Sequence, residues 1–277
     1  FRSLGKVAVL KDLVDKSGIE STLGIAHTRW ATHGKPSKKN AHPHMSGVNV
    51  AVVHNGIIEN HAELRAVLQA QGYTFTSDTD TEVIAHLMAS ILAAGEDLLA
   101  AVTTAVSALT GAYALATSSP GDQDRLVVAR AGSPLVIGIG DGENFIASDV
   151  AALLPVTQRF LFLEEGDIAE IYRDRVTVYD VDGDVVAREI RQSSQSASVA
   201  DTGPFAHFML KEIHEQPGVI AETLEGRIHN DRLLEESFGH ELKGLLDKTR
   251  QVQIVACGTS YHAGLVAKYW LESFGVA

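Results

Sequence analysis

His27-Thr28-Arg29-Trp30-Ala31-Thr32-His33-Gly34 and, after an apolar run over 48–53, His54-Asn55-Gly56-Ile57-Ile58-Glu59-Asn60 are the two stretches on which the reading of this chain turns. In the first, an arginine stands among two threonines and two histidines. Arginine can hold a carboxylate through two parallel N–H bonds, a geometry that lysine cannot copy. Thr28, Thr32 and His33 can add further hydrogen bonds. The same stretch also fits a polar loop whose arginine closes a structural salt bridge, and these residues alone leave both readings open. The second stretch reads as a buried strand running into Asn55-Gly56. Asn-Gly by itself signals a hairpin, with the glycine supplying a positive φ. Here, however, the residues that follow lead towards a helix rather than a return strand. A strand that ends this way can present the Asn55 amide and a Gly56 N–H to a developing oxyanion, worth about 3–4 kcal/mol in acyl transfer. Together the two stretches read as an acyl-transfer site, and neither contains a nucleophile.

Working outward, residues 7–14 fit a short helix and 24–26 a buried strand entering the first motif. Asn60 is placed to cap a helix over 61–70 that Gly72 would stop. Ser77-Asp78-Thr79-Asp80-Thr81-Glu82 opens a helix over 83–93, with Asp80 at the position of a cap. If Asp80 faces the same pocket as Arg29, the two charges bracket an α-amino acid, carboxylate on Arg29 and ammonium on Asp80. A third helix spans 97–109. Short apolar runs then follow over 112–117, 125–130, 135–139, 144–147, 160–163, 167–172, 175–179 and 184–188, separated by Gly, Pro, Ser and Asp. Strands, helices, then strands predict an α+β domain of two sheets with helices against them.

Residues 192–203 are rich in Ser, Gln and Ala and read as a linker. Helical patterns resume over 207–216, 219–228, 231–238 and 241–249. Residues 251–256 then read as a buried strand, broken at Cys257-Gly258-Thr259-Ser260 and followed by a helix over 261–274. Thr259 and Ser260 fit either a phosphate-binding helix start or a plain strand-to-helix turn. Cys257, the only cysteine, has no basic partner placed beside it and reads as a buried structural thiol rather than a nucleophile.

The 277 residues have a net charge of −12, which argues against general nucleic-acid binding. No apolar run approaches the roughly 20 residues of a membrane helix. A single thiol suits a reducing compartment and so a cytoplasmic protein. His27, His33, His42, His44 and His54 crowd together without HExxH or CxxC spacing, so neither a metal site nor a cofactor is expected. His42-Pro43-His44 reads as a loop that shapes the pocket.

In order, these segments resemble the glutamine-dependent glucosamine-6-phosphate synthases, also called glutamine–fructose-6-phosphate aminotransferases. The likeness includes the two opening motifs, Asn40-Ala41-His42-Pro43-His44, the run Ser77 to Glu82 and Gly132-Ser133-Pro134-Leu135. It continues through Phe162-Leu163-Glu164-Glu165-Gly166-Asp167, Lys211-Glu212-Ile213-His214-Glu215-Gln216-Pro217 and Cys257-Gly258-Thr259-Ser260-Tyr261. The resemblance implies a four-layer αββα N-terminal-nucleophile hydrolase sandwich, a glutaminase domain over 1–192. A linker over 193–206 and the first strand and helix of an α/β sugar-isomerase domain over 207–277 would follow. It implies glutamine held by Arg29 and Asp80, with Thr32, His33 and His42 shaping the pocket and Trp30 gating ammonia. Asn55 and Gly56 would form the oxyanion hole, and Thr259 and Ser260 would start the fructose 6-phosphate pocket. The reaction implied gives glucosamine 6-phosphate and glutamate, in a homodimer. The family's nucleophile is an N-terminal cysteine, whereas this sequence begins with Phe1. The expectation is a truncated domain, inactive alone, from an active parent. A non-catalytic sugar-phosphate-binding regulatory module is the competing expectation.

Overall fold

The computed structural model describes residues 1–29, 33–47, 49–193, 202–224, 228–229, 232–233 and 248–275. The chain forms two compact units, Phe1–Asp201 and Thr202–Ala277. The first carries a seven-stranded sheet, in the order β1-β2-β3-β4-β8-β9-β10, and a four-stranded sheet, β11-β7-β5-β6, with every pairing antiparallel. The strands of the large sheet are β1 (His44–Ser46), β2 (Val50–Ile58), β3 (Gly111–Ser119), β4 (Asp122–Ala131), β8 (Ile168–Tyr172), β9 (Val176–Tyr179) and β10 (Val185–Val186). The small sheet holds β5 (Val136–Ile139), β6 (Asn144–Ala147), β7 (Arg159–Phe162) and β11 (Ile190–Gln192). The architecture is α+β, as the order of patterns predicts.

Alternation along the strands divides the core. Val50, Val52 and Ile58 of β2, Leu115 of β3 and Val127 and Ala129 of β4 face the helices α2 (His61–Ala70), α3 (Glu82–Ala93) and α4 (Leu98–Ser107). Their neighbours Val53, Ala116, Leu126 and Val128 face Ile137 and Leu161 of the small sheet. Each sheet thus buries both faces of its central strands through a period of two. Helix α4 presents Leu98, Ala101, Val102 and Ala105, one stripe at helical spacing. Asp97 caps it by accepting the Ala100 N–H at 2.8 Å. The outer face of the small sheet is covered by a short 3-10 turn, Val150–Ala152, whose following residues Leu153 and Leu154 pack on Val136 and Phe160.

Several local expectations give way to tertiary context. Residues 24–26 are extended and half-buried or exposed but pair with no strand among the described residues, so they form no ladder. Strand β2 does not end at Asn55-Gly56 but runs on to Ile58, pairing Asn55 with Ala114 and Gly56 with Tyr113. Asn60 stands at the start of α2 without capping it, because its side chain instead binds the Ala108 carbonyl (2.9 Å) and the Thr110 N–H (3.0 Å). The strands β1 and β11 are too short to show a pattern.

In the second unit, one helix, α5 (Phe208–Leu224), replaces the two expected over 207–216 and 219–228. Pro217 sits inside it, giving up one backbone donor without ending the helix. Most of 231–238 and 241–249, like 194–201 of the expected linker, lies outside the described residues. Arg232–Leu233 is paired with Ile228–His229 as a strand, against the helix expected there. Residues 251–256 form no strand, since no neighbour among the described residues pairs with them, and Val255 is 88% exposed. The last helix, α6, spans Gly258–Ser273.

One buried ion-pair network joins the helices to the large sheet. Arg125 of β4 meets Glu170 of β8, Asp122, and the capping Asp97 of α4 at 3.1 Å. Tyr179 donates to Glu170 at 2.7 Å. Removing one partner strands the other in a low-dielectric interior. Arg125→Met should therefore cost about 3–5 kcal/mol in urea unfolding, and Arg125→Met/Glu170→Leu should recover more than half of that. A single-variant loss under about 1 kcal/mol would show that the network carries little.

Candidate active site

Four separate stretches of the sequence meet at one cavity of about 340 Å³. It is lined by His27, Thr28, Arg29, His42, His54, Asn55, Gly56, Ile57, Asp80 and Thr81. Through His27, Thr28 and their neighbours it adjoins a cavity of about 490 Å³ between the sheets and another of about 350 Å³ that reaches Arg2 and Ser37.

The pleat of β2 decides what each residue offers. Val53 faces the second sheet, so Asn55 lies on that side, and its side chain is exposed and makes no hydrogen bond among the described residues. His54 and Gly56 lie on the helix side with Val52 and Ile58. Gly56 has φ +140, and a Cβ there would stand 2.0 Å from the Ala112 carbonyl oxygen. Only glycine permits this approach of β2 to β3.

Arg29 donates from Nη2 to the carbonyls of His33 and Gly34, the second at 2.9 Å. These bonds hold the guanidinium against its own loop. Its Nε and Nη1 have no partner, and it forms no ion pair among the described residues. The salt-bridge alternative is therefore not what the arginine does here. Asp80 is buried and does not cap α3. The residue at the cap position is Thr81, and Asp80 instead accepts the Ile58 N–H at 2.8 Å. The helix start thus faces β2, and the backbone donor at the end of that strand outcompetes the helix's own N–H groups.

The histidines pack on one another. The rings of His27 and His42 stack at 4.2 Å, and His42 meets His44 edge-on at 4.9 Å. His42 Nδ1 accepts the His54 N–H at 3.3 Å, and His54 Nδ1 lies 2.9 Å from the Thr81 hydroxyl. Burial, reinforced by His27, His44, His54 and Arg29, lowers the His42 pKa to about 2. Burial, then Arg2, lowers that of His44 to about 4. Burial also lowers His27 and His54. The cluster is neutral at pH 7, leaving Arg29 and Asp80 as the formal charges of the cavity wall.

Of the residues picked out by sequence, Arg29, His42, Asn55, Gly56 and Asp80 share this cavity. Trp30 and Thr32 lie outside the described residues. His33 meets the His61 ring at 5.2 Å and does not line the cavity. Thr259 and Ser260 stand in the first turn of α6 in the second unit, behind an exposed Cys257. Sequence reading missed the cavity-lining roles of His27, His54 and Thr81 and the burial of Glu82. The signal for the last two was an unbroken run of six polar residues before an apolar helix, more than one cap requires. No group of His, Cys, Asp and Glu among the described residues has the arrangement of a metal site. No helix among them is long and apolar enough to cross a membrane.

Residues 27–155 match the family model of the glutamine amidotransferase domain. The chain belongs to the glutamine amidotransferases. Within them, its sequence stands with the glutamine–fructose-6-phosphate aminotransferases (isomerizing). It is 59% identical to that of Pseudomonas putida over 272 residues, 98% of this chain and 44% of the relative. It is 56% identical to that of Haemophilus influenzae over 273 residues, 99% of this chain and 45% of the relative. The chain thus spans under half the length of these relatives. A solved glutamine phosphoribosylpyrophosphate amidotransferase from B. subtilis, complexed with ADP and GMP, aligns with a TM-score of 0.48 and 26% identity, over 57% of this chain and 35% of that one.

The neutral histidines set an acid limit on stability. Unfolded, both His42 and His44 take up a proton near pH 6.5; folded, they do so only at about 2 and about 4. Between these values the unfolded chain binds more protons, so stability falls on acidification by about 1.4 kcal/mol per pH unit for each histidine. The melting temperature should hold above pH 7.5 and drop between pH 6.5 and 5, less steeply in His42→Asn. A flat profile in the parent chain across that window would contradict the burial of neutral imidazoles.

Proposed function

We propose that this chain is the glutamine-handling part, with the opening of the sugar domain, of an enzyme that transfers the amide nitrogen of glutamine to fructose 6-phosphate. The products are glucosamine 6-phosphate and glutamate. The observation that carries this reading is the joint placement of Arg29, Asn55, Gly56 and Asp80 on one cavity. A zwitterionic amino acid needs one cation and one anion, and that wall supplies both against neutral imidazoles. The free Nη1 of Arg29 takes the α-carboxylate through a charge-assisted hydrogen bond. Asp80 takes the α-ammonium. The unpartnered Asn55 amide and the Gly56 N–H receive the oxygen of the side-chain amide as negative charge builds on it. His42 walls the pocket as a neutral ring and His33 holds the Arg29 loop through its carbonyl; the roles proposed for Thr32 and Trp30 are to shape the pocket and to gate ammonia.

In this reading 1–192 is the glutaminase domain and 207–277 opens the sugar-isomerase domain. Thr259 and Ser260, at a helix start, meet the sugar phosphate. The parent is a cytoplasmic homodimer that needs no cofactor or metal and binds neither nucleic acid nor membrane. The nucleophile implied by the family likeness is a cysteine thiolate, and no cysteine lines the cavity. The 277-residue polypeptide therefore binds glutamine without turning it over.

Isothermal titration of this polypeptide with L-glutamine, alongside an assay for glutamate, tests the reading. Binding is expected with no steady glutamate release, and Arg29→Ala should weaken binding about 10- to 100-fold, the loss of a charge-assisted pair. Glutamate release abolished by Arg29→Ala would overturn the inactive assignment. Binding of fructose 6-phosphate but not glutamine would favour a sugar-phosphate module instead.

A further inference from the structure

Glu82 is a buried charge that the proposed chemistry leaves unused. It is the first residue of α3 and only 2% exposed, yet its side chain turns back on the preceding loop. One oxygen accepts the Thr76 N–H and hydroxyl, both at 2.9 Å, and the other accepts the Ser77 N–H at 2.7 Å and hydroxyl at 2.6 Å. His86, one turn on, approaches it to 3.7 Å. Burial opposes the charge, but the proximity of His86 and the hydrogen bonds from Ser77 and Thr76 more than offset it, holding the carboxyl below the usual carboxylate range.

The contacts continue into a ring. The Ser77 hydroxyl lies 2.9 Å from that of Thr79, which lies 3.1 Å from His44 Nε2. His86 Nδ1 lies 2.9 Å from the Ser46 hydroxyl, so β1 closes the circuit. Glu82 and Ser77 are the two ends of a short turn, and Asp80 lies inside it. Asp80 accepts the Ile58 N–H with one oxygen and accepts no other hydrogen bond among the described residues, so its second oxygen is left for a ligand.

We propose that Glu82 is a positioning residue for amino-acid recognition: by clamping Thr76 and Ser77 from the first turn of α3, it fixes the turn that carries Asp80 and aims that carboxylate at the ligand's amino group. The proposal rests on the reading of Asp80 as the ammonium partner. A buried carboxylate with four donors is costly to assemble for a loop tether alone. It suits a site where a second carboxylate must not wander.

The test uses the 277-residue chain and its Glu82→Gln variant, which keeps the shape but replaces an accepting oxygen with a donor. Two ligands are titrated, L-glutamine and glutaramate, which is glutamine without its α-amino group. Hydrogen exchange of the Ile58 N–H is followed against the amides of β5. Expected is about tenfold weaker glutamine binding, less than about twofold loss for glutaramate, and about tenfold faster Ile58 exchange with β5 unchanged. Equal losses for both ligands, or unchanged Ile58 exchange, would overturn the proposal. If Glu82→Gln does not fold, Ser77→Ala breaks the same clamp and is judged by the same outcomes. If the parent chain binds neither ligand, the amino-acid reading of the pocket fails, and Ile58 exchange alone decides whether Glu82 positions Asp80.

Discussion

The hydrogen bond from the Ile58 N–H to the Asp80 carboxylate, 2.8 Å long, ties the large sheet to the helix layer at the point where the cavity forms. On one side of it runs β2, whose register against β3 is continuous from Ala51 to Ile58. On the other side starts α3, whose apolar residues Val83, Ile84, Ala85 and Met88 are fully buried. Core packing holds each element, and this bond decides how they meet. Gly56 and Gly111 permit the close approach of β2 to β3 beside it. A Cβ on the first would strike the Ala112 oxygen, and one on the second would come within 2.3 Å of the Ile57 oxygen. These two glycines, one on each strand of the pair and two residues apart in register, keep the strands close, and β2 can offer an N–H group, and not only side chains, to a ligand.

The charge pattern follows from the same packing. Four histidines near the cavity are held neutral chiefly by burial. They provide polar, uncharged walls, so Arg29 and Asp80 act without competition from a third charge. Such walls need no reorganisation when a ligand's charge arrives, which is the basis of electrostatic preorganisation. Behind them, the loop that carries Asp80 is anchored several times over. Arg65 donates to the Thr79 carbonyl at 2.9 Å, and the Asp78 N–H donates to Asn40 at 2.9 Å. A loop held this way supports a site by rigidity, not by adapting to its ligand.

Period-two strands and helix-spaced apolar stripes made most of the first unit legible in sequence, because those elements bury one face each. Helix α2 falls where its pattern and Gly72 place it. The failures share a cause, which is partners distant in sequence. Asp80 looked like a helix cap because sequence shows the nearest donors, while the donor it uses comes from Ile58. Asn55-Gly56 looked like a turn because Asn-Gly is one in isolation; pairing with Ala114 and Tyr113 carries the strand through it. Residues 251–256 looked like a buried strand, but a strand pattern states a need for neighbours without supplying them. Arg29 was readable as a carboxylate ligand, whereas its anchoring to the carbonyls of its own loop was not.

The central claim is that one cavity holds glutamine as a zwitterion stretched between Arg29 and Asp80, with its amide at β2. A crystal structure of this chain soaked with L-glutamine tests it most directly. The account predicts the α-carboxylate on the Arg29 guanidinium, the ammonium on Asp80 and the amide oxygen facing Asn55 and Gly56. Glutamine bound in the reverse orientation, or bound elsewhere with this cavity empty, would contradict it.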